Sequence, residues 1–334
     1  MTTSTRARPA VVAPSTRRWG LTAVAASLAV LVAALALGGG TAAAVPGLPD
    51  PGALTQWGLP VAKVVLDGAS AVTVGMLALA VMLPARDGDL GRDALLAMRA
   101  AAISAVVWAA AAAVVHLLTL SDLVGQPLGD ALAGDAFASY TSSVPQGRAY
   151  ATVVVLALAI VPAARLTLGR GGAIAVLCLS IGTLIPPALT GHSATGDYHH
   201  SAVTSLIVHL VGMALWVGGL VAVSWYAAQG GTHLARVARA YSPMALGCFV
   251  MVGASGVLNA WVRIPSFGDL FTTAYGAMVL AKAGALVALG VFGSAHRRRS
   301  LGELDAGRAG AFRRLAAGEA VVMGVALALG VALS

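Results

Sequence analysis

Apolar residues along this chain come in long blocks separated by short polar connections, and no block alternates in the manner of a barrel strand. Many blocks approach the roughly 20 residues an α-helix needs to cross a bilayer. They predict helices over about 19–40, 60–84, 99–120, 147–166, 171–190, 201–228, 241–264, 272–294 and 313–333. Lipid cannot hydrogen-bond open backbone groups, so these blocks must close into helices that satisfy themselves. The predicted fold class is an all-α integral membrane protein, a polytopic bundle of about nine transmembrane helices.

Charge gives the bundle a direction. Arg6, Arg8, Arg17 and Arg18 precede the first block. Arg86, Arg92 and Arg99 mark the second connection, Arg165 and Arg170 the fourth, Arg236 and Arg239 the sixth. Arg297, Arg298, Arg299, Arg308, Arg313 and Arg314 mark the eighth. The connections between these are nearly bare of Lys and Arg, with Lys63, Arg148 and Arg263 only at their edges. The positive-inside rule then puts the N-terminus in the cytoplasm and the C-terminus outside. The first block has two readings. It is a retained helix, or, with Arg17-Arg18 before Leu21–Leu37 and Thr41-Ala42-Ala43-Ala44 after it, a signal peptide. Residues 1–45 are set apart on that account, and 46–334 form an eight-helix unit.

Composition narrows the function. The chain is 58% hydrophobic and only 10% charged, against roughly 25% charged in soluble domains. Its 40 glycines suit close helix approach. The net charge of +8 lies at helix ends without interleaved aromatics, so it reads as topology control and not as nucleic-acid binding. Cys178 and Cys248 both fall inside apolar blocks and do not make a disulfide framework. No nucleophile is paired with a base at a credible depth, so no catalytic residue is assigned. No phosphate-binding loop or phosphorylated-Asp motif is found.

Polar groups at membrane depth are costly and mark candidate sites. At about 1.5 Å of rise per residue, Asp67 lies about 10 Å below the outer surface, His116 and Asn259 about 7 Å, and His209 and Lys282 about 13 Å. Glu319 alone sits in the inner half. Asp67 can neutralise Lys63 one turn away, and is the best partner for Lys282. His116 and His209, at comparable depth on helices of opposite direction, read either as helix-to-helix hydrogen bonds or as ligands sharing a metal or a haem. After Pro186-Pro187 an outer loop runs from Gly191 to His200; His192, His199, His200 and Asp197 there, with no basic residue, make a metal-capture composition. Met244, Cys248, Met251, Ser255 and Asn259 keep to one helix face. Sulfur donors suit Cu(I), while the bland alternative is core packing. Cys178, Cys248 and Glu319 at similar depth would compose a soft inner site. The outer connection 121–146, acidic with Asp122, Asp130 and Asp135, predicts a short interfacial helix over about 128–140.

Several motifs together resemble the copper resistance D family. They are the Gly191-His192 loop, then His209, Leu210, Leu215, Trp216, Gly218, Gly219 and Leu220 in one helix. Gly253–Ile264 and the Thr272–Leu286 segment with Tyr275, Gly276 and Lys282 follow, and Glu319 stands in the family's acidic position. The motifs cover about 185–333, the rest agreeing by helix count. The similarity is to actinobacterial-type members, often fused to a second module like the CtaG oxidase-assembly proteins; that module is not in this sequence.

The resemblance implies an eight-helix core that handles copper ion at the cytoplasmic membrane, in transport or resistance. Expected partners are the lipid bilayer, copper, and an extracytoplasmic copper-binding protein or oxidase assembly factor. Two alternatives remain at this point. One is a haem b cytochrome with His116 and His209 as axial ligands; the other is a non-transporting partner in oxidase copper assembly.

Overall fold

The computed structural model describes residues 50–190, 199–263 and 268–305. The elements are α1 Gly52–Met82, β1 Ala85–Arg86, β2 Asp89–Leu90, α2 Arg92–Val124, α3 Leu128–Ala131, α4 Ala136–Ser143, α5 Pro145–Leu166, α6 Arg170–Gly182, α7 Ile185–Ala188, α8 His199–Ala228, α9 Leu234–Arg263, α10 Asp269–Thr272 and α11 Ala274–Asp305. Within the described residues each predicted span is helical over most of its length. The predicted first and last helices, 19–40 and 313–333, lie outside them. Six helices are long and apolar enough to cross a membrane among the described residues, and α11 holds a shorter apolar stretch, Val279–Val291.

α1 is the centre of the bundle. It packs along α2 on one side and α8 on the other, and also meets α6. α5 then covers α2, α9 covers α8, and α11 covers α9. Small residues permit this. The buried face of α2 carries Ala94, Ala97, Ala101, Ala105, Ala109 and Ala112, recurring every three to four residues, with Trp108 filling the gap. Where α1 crosses α8, a Cβ on Gly75 would land on the Gly218 backbone, and one on Gly218 would land on the Ala71 carbonyl. The opposite faces show Ile103, Val106, Val155, Leu158, Val250 and Val257 as exposed apolar side chains, as lipid contact requires.

The ends are held by polar contacts. Ser121 donates to the Gln126 carbonyl at 2.6 Å and accepts from Thr55 at 2.7 Å, which ties the start of α1 to the end of α2. At the other end Tyr226 of α8 donates to the Asp93 carboxylate of α2 at 2.8 Å. Between α1 and α2 a hairpin turns on Asp87 and Gly88, both with positive φ. Asp-Gly is a preferred pair for a two-residue hairpin turn. Leu90 donates to Leu168 at 2.7 Å and Arg170 to Gly88 at 2.8 Å, docking the hairpin on the α5–α6 connection.

Two details differ from the sequence expectations. The single interfacial helix over 128–140 is two short helices, α3 and α4, separated at Gly134, which has φ +72°. The fifth predicted span breaks at Thr183-Leu184, and Pro186-Pro187 open the single turn α7. The first helical turn is where proline is tolerated, because its missing N–H has no intrahelical partner there.

Candidate functional site

Two histidines, His116 buried and His209 half-buried, stand on helices that flank α1. His116 lies on α2, 6% exposed. The amphipathic face of α4 covers it, since Phe137, Tyr140 and Thr141 sit at i, i+3 and i+4. The His116 ring meets Tyr140 at 4.9 Å and Phe137, edge-on, at 5.7 Å between centroids. α4 is pressed down by its connection to α5, because a Cβ on Gly147 would land on the Tyr140 carbonyl.

The hydrogen bonds around His116 assign its tautomer. Thr141 donates its single hydroxyl proton to the Phe137 carbonyl at 2.8 Å. Its oxygen therefore accepts from His116 Nε2–H at 3.0 Å. Nδ1 is left with a lone pair, buried and without a partner. The hydroxyls of Thr119 and Tyr140 are likewise buried, and they are neighbours of each other. Thr119 sits one turn along α2 from His116, hence on the same side.

His209 on α8 repeats the device from another direction. Ser255 of α9 donates to the Met251 carbonyl at 2.7 Å and shares that proton with Val252 at 3.1 Å. Its oxygen accepts from His209 Nδ1–H at 3.0 Å, and the Val252 backbone is a second hydrogen-bond neighbour of the imidazole. Ser205 donates to the Ser255 carbonyl at 3.2 Å and draws the two helices together at this level. Lys282 of α11 is an electrostatic neighbour of His209.

The remaining candidates distribute as follows. Met244, Cys248, Met251 and Ser255 do occupy one face, and that face is packed on α8. A Cβ on Gly219 would meet Met244 Cε at 3.3 Å, and one on Gly212 would meet Met251 Cβ at 3.4 Å. Cys248 is buried there, whereas Cys178 is exposed on α6. Asn259 is half-buried near the end of α9. Asp67 has Lys63 as its electrostatic neighbour. His199 and His200 begin α8; His192 and Glu319 lie outside the described residues. Among the described residues no three His, Cys, Asp or Glu side chains gather at one point. Of the partners that matter here, Ser255 was visible as part of a stripe, but Thr119, Tyr140 and Thr141 carried no sequence signal, being ordinary hydroxyl residues.

Burial pushes the Tyr140 phenol up to about 12, with the Thr119 hydroxyl beside it pulling the other way. Its ordinary value is 10.0. A raised folded value means the protonated phenol is favoured by the packing of α4. That stability is fully present below pH 10 and is lost as pH rises towards 12. In an alkaline absorbance titration, the difference between wild type and Tyr140→Phe is expected to show one phenolate appearing near pH 12. A difference curve centred at pH 10 would mean that α4 does not cover the ring.

The copper resistance protein D-like N-terminal domain matches residues 48–201, and copper resistance protein D matches residues 235–333. The chain belongs to the copper resistance protein D family. It is a copper-related, multi-pass membrane protein. The family's N-terminal domain reaches across the part that motifs had left to helix count alone. His116, Thr119, Tyr140 and Thr141 fall in that first stretch; Cys248, Met251, Ser255, Asn259 and Lys282 fall in the second. The segment His209 to Leu220 lies between the two. Copper transport protein CutJ of Bacillus subtilis (strain 168) is 34% identical over 155 residues, which are 44% of this chain and 28% of that protein. The alignment thus spans less than a third of CutJ. No solved structure matches the chain.

Proposed function

We propose that this protein carries copper ion across the cytoplasmic membrane. The observation that supports this best is the pair of interior imidazoles, each with one ring nitrogen tied to an anchored hydroxyl, the other nitrogen of His116 being buried without a partner. A metal-ligating histidine is oriented in this way by the partner of its second nitrogen. The outer segment with His192, His199 and His200 collects the ion. His116 and His209 are two separate stations, since α1 stands between their helices, and Asn259 lies on the same helix as Ser255. The sulfur-bearing face of Met244, Cys248 and Met251 leads inward from His209. Asp67, Lys282 and Glu319 set the charge within residues 46–334, the transporting unit; 1–45 is an added segment. A gradient or a partner protein, an extracytoplasmic copper carrier or an oxidase assembly factor, supplies the drive. A single haem between His116 and His209 fits less well, because both rings would have to reach one iron past α1.

Proteoliposomes holding the purified chain test this directly. Copper entry is expected to exceed that of empty liposomes, and the His192→Ala/His199→Ala/His200→Ala variant is expected to need roughly tenfold more copper for the same rate, in line with the usual effect of weakened metal coordination. Entry equal to that of empty liposomes would remove transport and leave the assembly-partner role. A Soret band lost in the His116→Ala/His209→Ala variant would make the protein a cytochrome.

A further inference from the structure

We infer that the groove between α4 and α5 holds one anionic phospholipid of the outer leaflet, with its phosphate on Arg148 and an acyl chain along Ala151, Val155 and Leu156. The groove has a volume of about 380 Å³ and is lined by Thr141 of α4 and by Arg148, Ala151, Thr152, Val155 and Leu156 of α5. On α5 these five fall at i, i+3, i+4, i+7 and i+8, so they share one face. That face runs about 12 Å along the helix axis. It begins with a guanidinium at the end that the charge pattern places outside and ends in apolar side chains at membrane depth. A lipid of that leaflet has the same polarity, headgroup above and chain below. The inference goes beyond the transport reading and does not rest on it.

Charge selects the occupant. Arg148 is the only Lys or Arg between residues 100 and 164, on a side otherwise nearly bare of them. The connection before it carries three carboxylates, but Asp130 and Asp135 lie ahead of α4, at the other end from Thr141, and Asp122 belongs to α2. Among the described residues none of them pairs with the guanidinium. The two hydroxyls of the groove are committed elsewhere: Thr141 donates to the Phe137 carbonyl and Thr152 to the Arg148 carbonyl, each at 2.8 Å. Arg148 is thus the lining side chain left to donate, and an anion at the membrane surface complements it. The wall of the groove is fixed as well. α4 is held to α5 where a Cβ on Gly147 would meet the Tyr140 carbonyl, and Thr141 is the next residue. An arginine that merely snorkels needs no such wall. A second copy of the chain is a poorer occupant, because a twofold axis along the membrane normal would bring two Arg148 side chains to one depth without a counter-charge.

The test is photo-crosslinking of the full-length protein in vesicles that contain phosphatidylglycerol or phosphatidylcholine with a diazirine in the acyl chain, followed by peptide mapping. Adducts are expected within residues 149–165, about fivefold more with phosphatidylglycerol than with phosphatidylcholine, the worth of one basic residue at an anionic surface. Arg148→Gln should bring the two lipids level. Ala151→Phe fills the groove, keeps the charge, and should lower the phosphatidylglycerol adduct as far. Thermal melting of both variants in detergent separates a lost site from a lost fold. Equal labelling by both lipids in wild type overturns the site and leaves ordinary lipid contact. Loss in Arg148→Gln but not in Ala151→Phe also overturns it, since a charge without a groove then explains the binding. So does displacement of the adduct by inorganic phosphate, or a wild-type dimer that Ala151→Phe dissociates. Copper entry is not read here, so none of these outcomes bears on transport.

Discussion

Replacing His209 with alanine is expected to abolish copper entry into proteoliposomes, and Ser255→Ala to slow it ten- to a hundredfold. The His209 imidazole, held at Nδ1 by Ser255, is the nitrogen donor that the transport reading places at the α8–α9 interface. Ser255 never touches the ion; it acts through the imidazole. Its proton is committed to the Met251 carbonyl at 2.7 Å, so it can only accept, and this holds the His209 proton on Nδ1. Without that oxygen the ring is free to change tautomer and to rotate. Losses of ten- to a hundredfold in metal affinity are usual when such a supporting partner is removed. A positioning role has its own signature. Ser255→Thr should restore entry because it returns an acceptor oxygen, whereas a purely structural defect would be made worse by the added methyl. Wild-type rates in His209→Ala would sink the station at His209. They would not touch the station at His116, which stands on another helix.

The bundle was readable in the sequence to the extent that lipid dictates it. Apolar length alone locates α1, α2, α5, α8 and α9, because a bilayer tolerates no other way to satisfy their backbones. The helices run further than their apolar blocks: α1 begins at Gly52, not near 60, and α9 at Leu234, not near 241. Hydropathy marks the hydrocarbon, while the helix continues through the interface, where polar residues are equally content. Breaks were harder. The one-turn α7 and the pair α3 and α4 depend on local turn geometry that no block boundary announces. The Asp87-Gly88 hairpin did have a signal in that dipeptide, hidden inside a connection read only for its charges.

The sites were half legible for a related reason. Depth and helical periodicity identify His116 and His209 from the chain alone, because a polar group in an apolar block has few explanations. They say nothing about which neighbours it meets. Thr141 reaches His116 from 25 residues away and Ser255 reaches His209 from 46 away. Those separations depend on the order in which helices pack, not on the composition of either helix. The stripe on α9 shows the same limit. Its single face follows from spacing, but that it is pressed against Gly212 and Gly219 of α8 follows from packing. Packing also decides that His116 and His209 stand on two different helices that each pack along α1, although comparable depth made them candidates for one shared ion.

Gly218→Val is expected to destroy the folded bundle, with Gly218→Ala already melting well below wild type. Both act at the crossing of α1 and α8, where a Cβ at 218 would coincide with the Ala71 carbonyl. A flexible side chain in that place could turn aside. A carbonyl in the middle of a helix cannot, so the helices themselves must part. Overpacking in a core typically costs about 1–3 kcal/mol, and more where the backbone must move. Here it would be felt widely, because α1 also carries α2 and α6 and α8 carries α9. His209 stands nine residues from Gly218 on the same helix, about 13 Å along its axis, so its register against Ser255 would shift as well. Gly68→Ala is the matching control. It lies on α1 with nothing near its missing Cβ, and it should hold or raise stability, since alanine is favoured over glycine in a helix by up to about 1 kcal/mol. Thermal unfolding in detergent, followed by size-exclusion chromatography, reads all three. If Gly218→Val melted with wild type while remaining monodisperse, α1 and α8 would not be in backbone contact, and the separation of the two histidine stations by α1 would lose its basis.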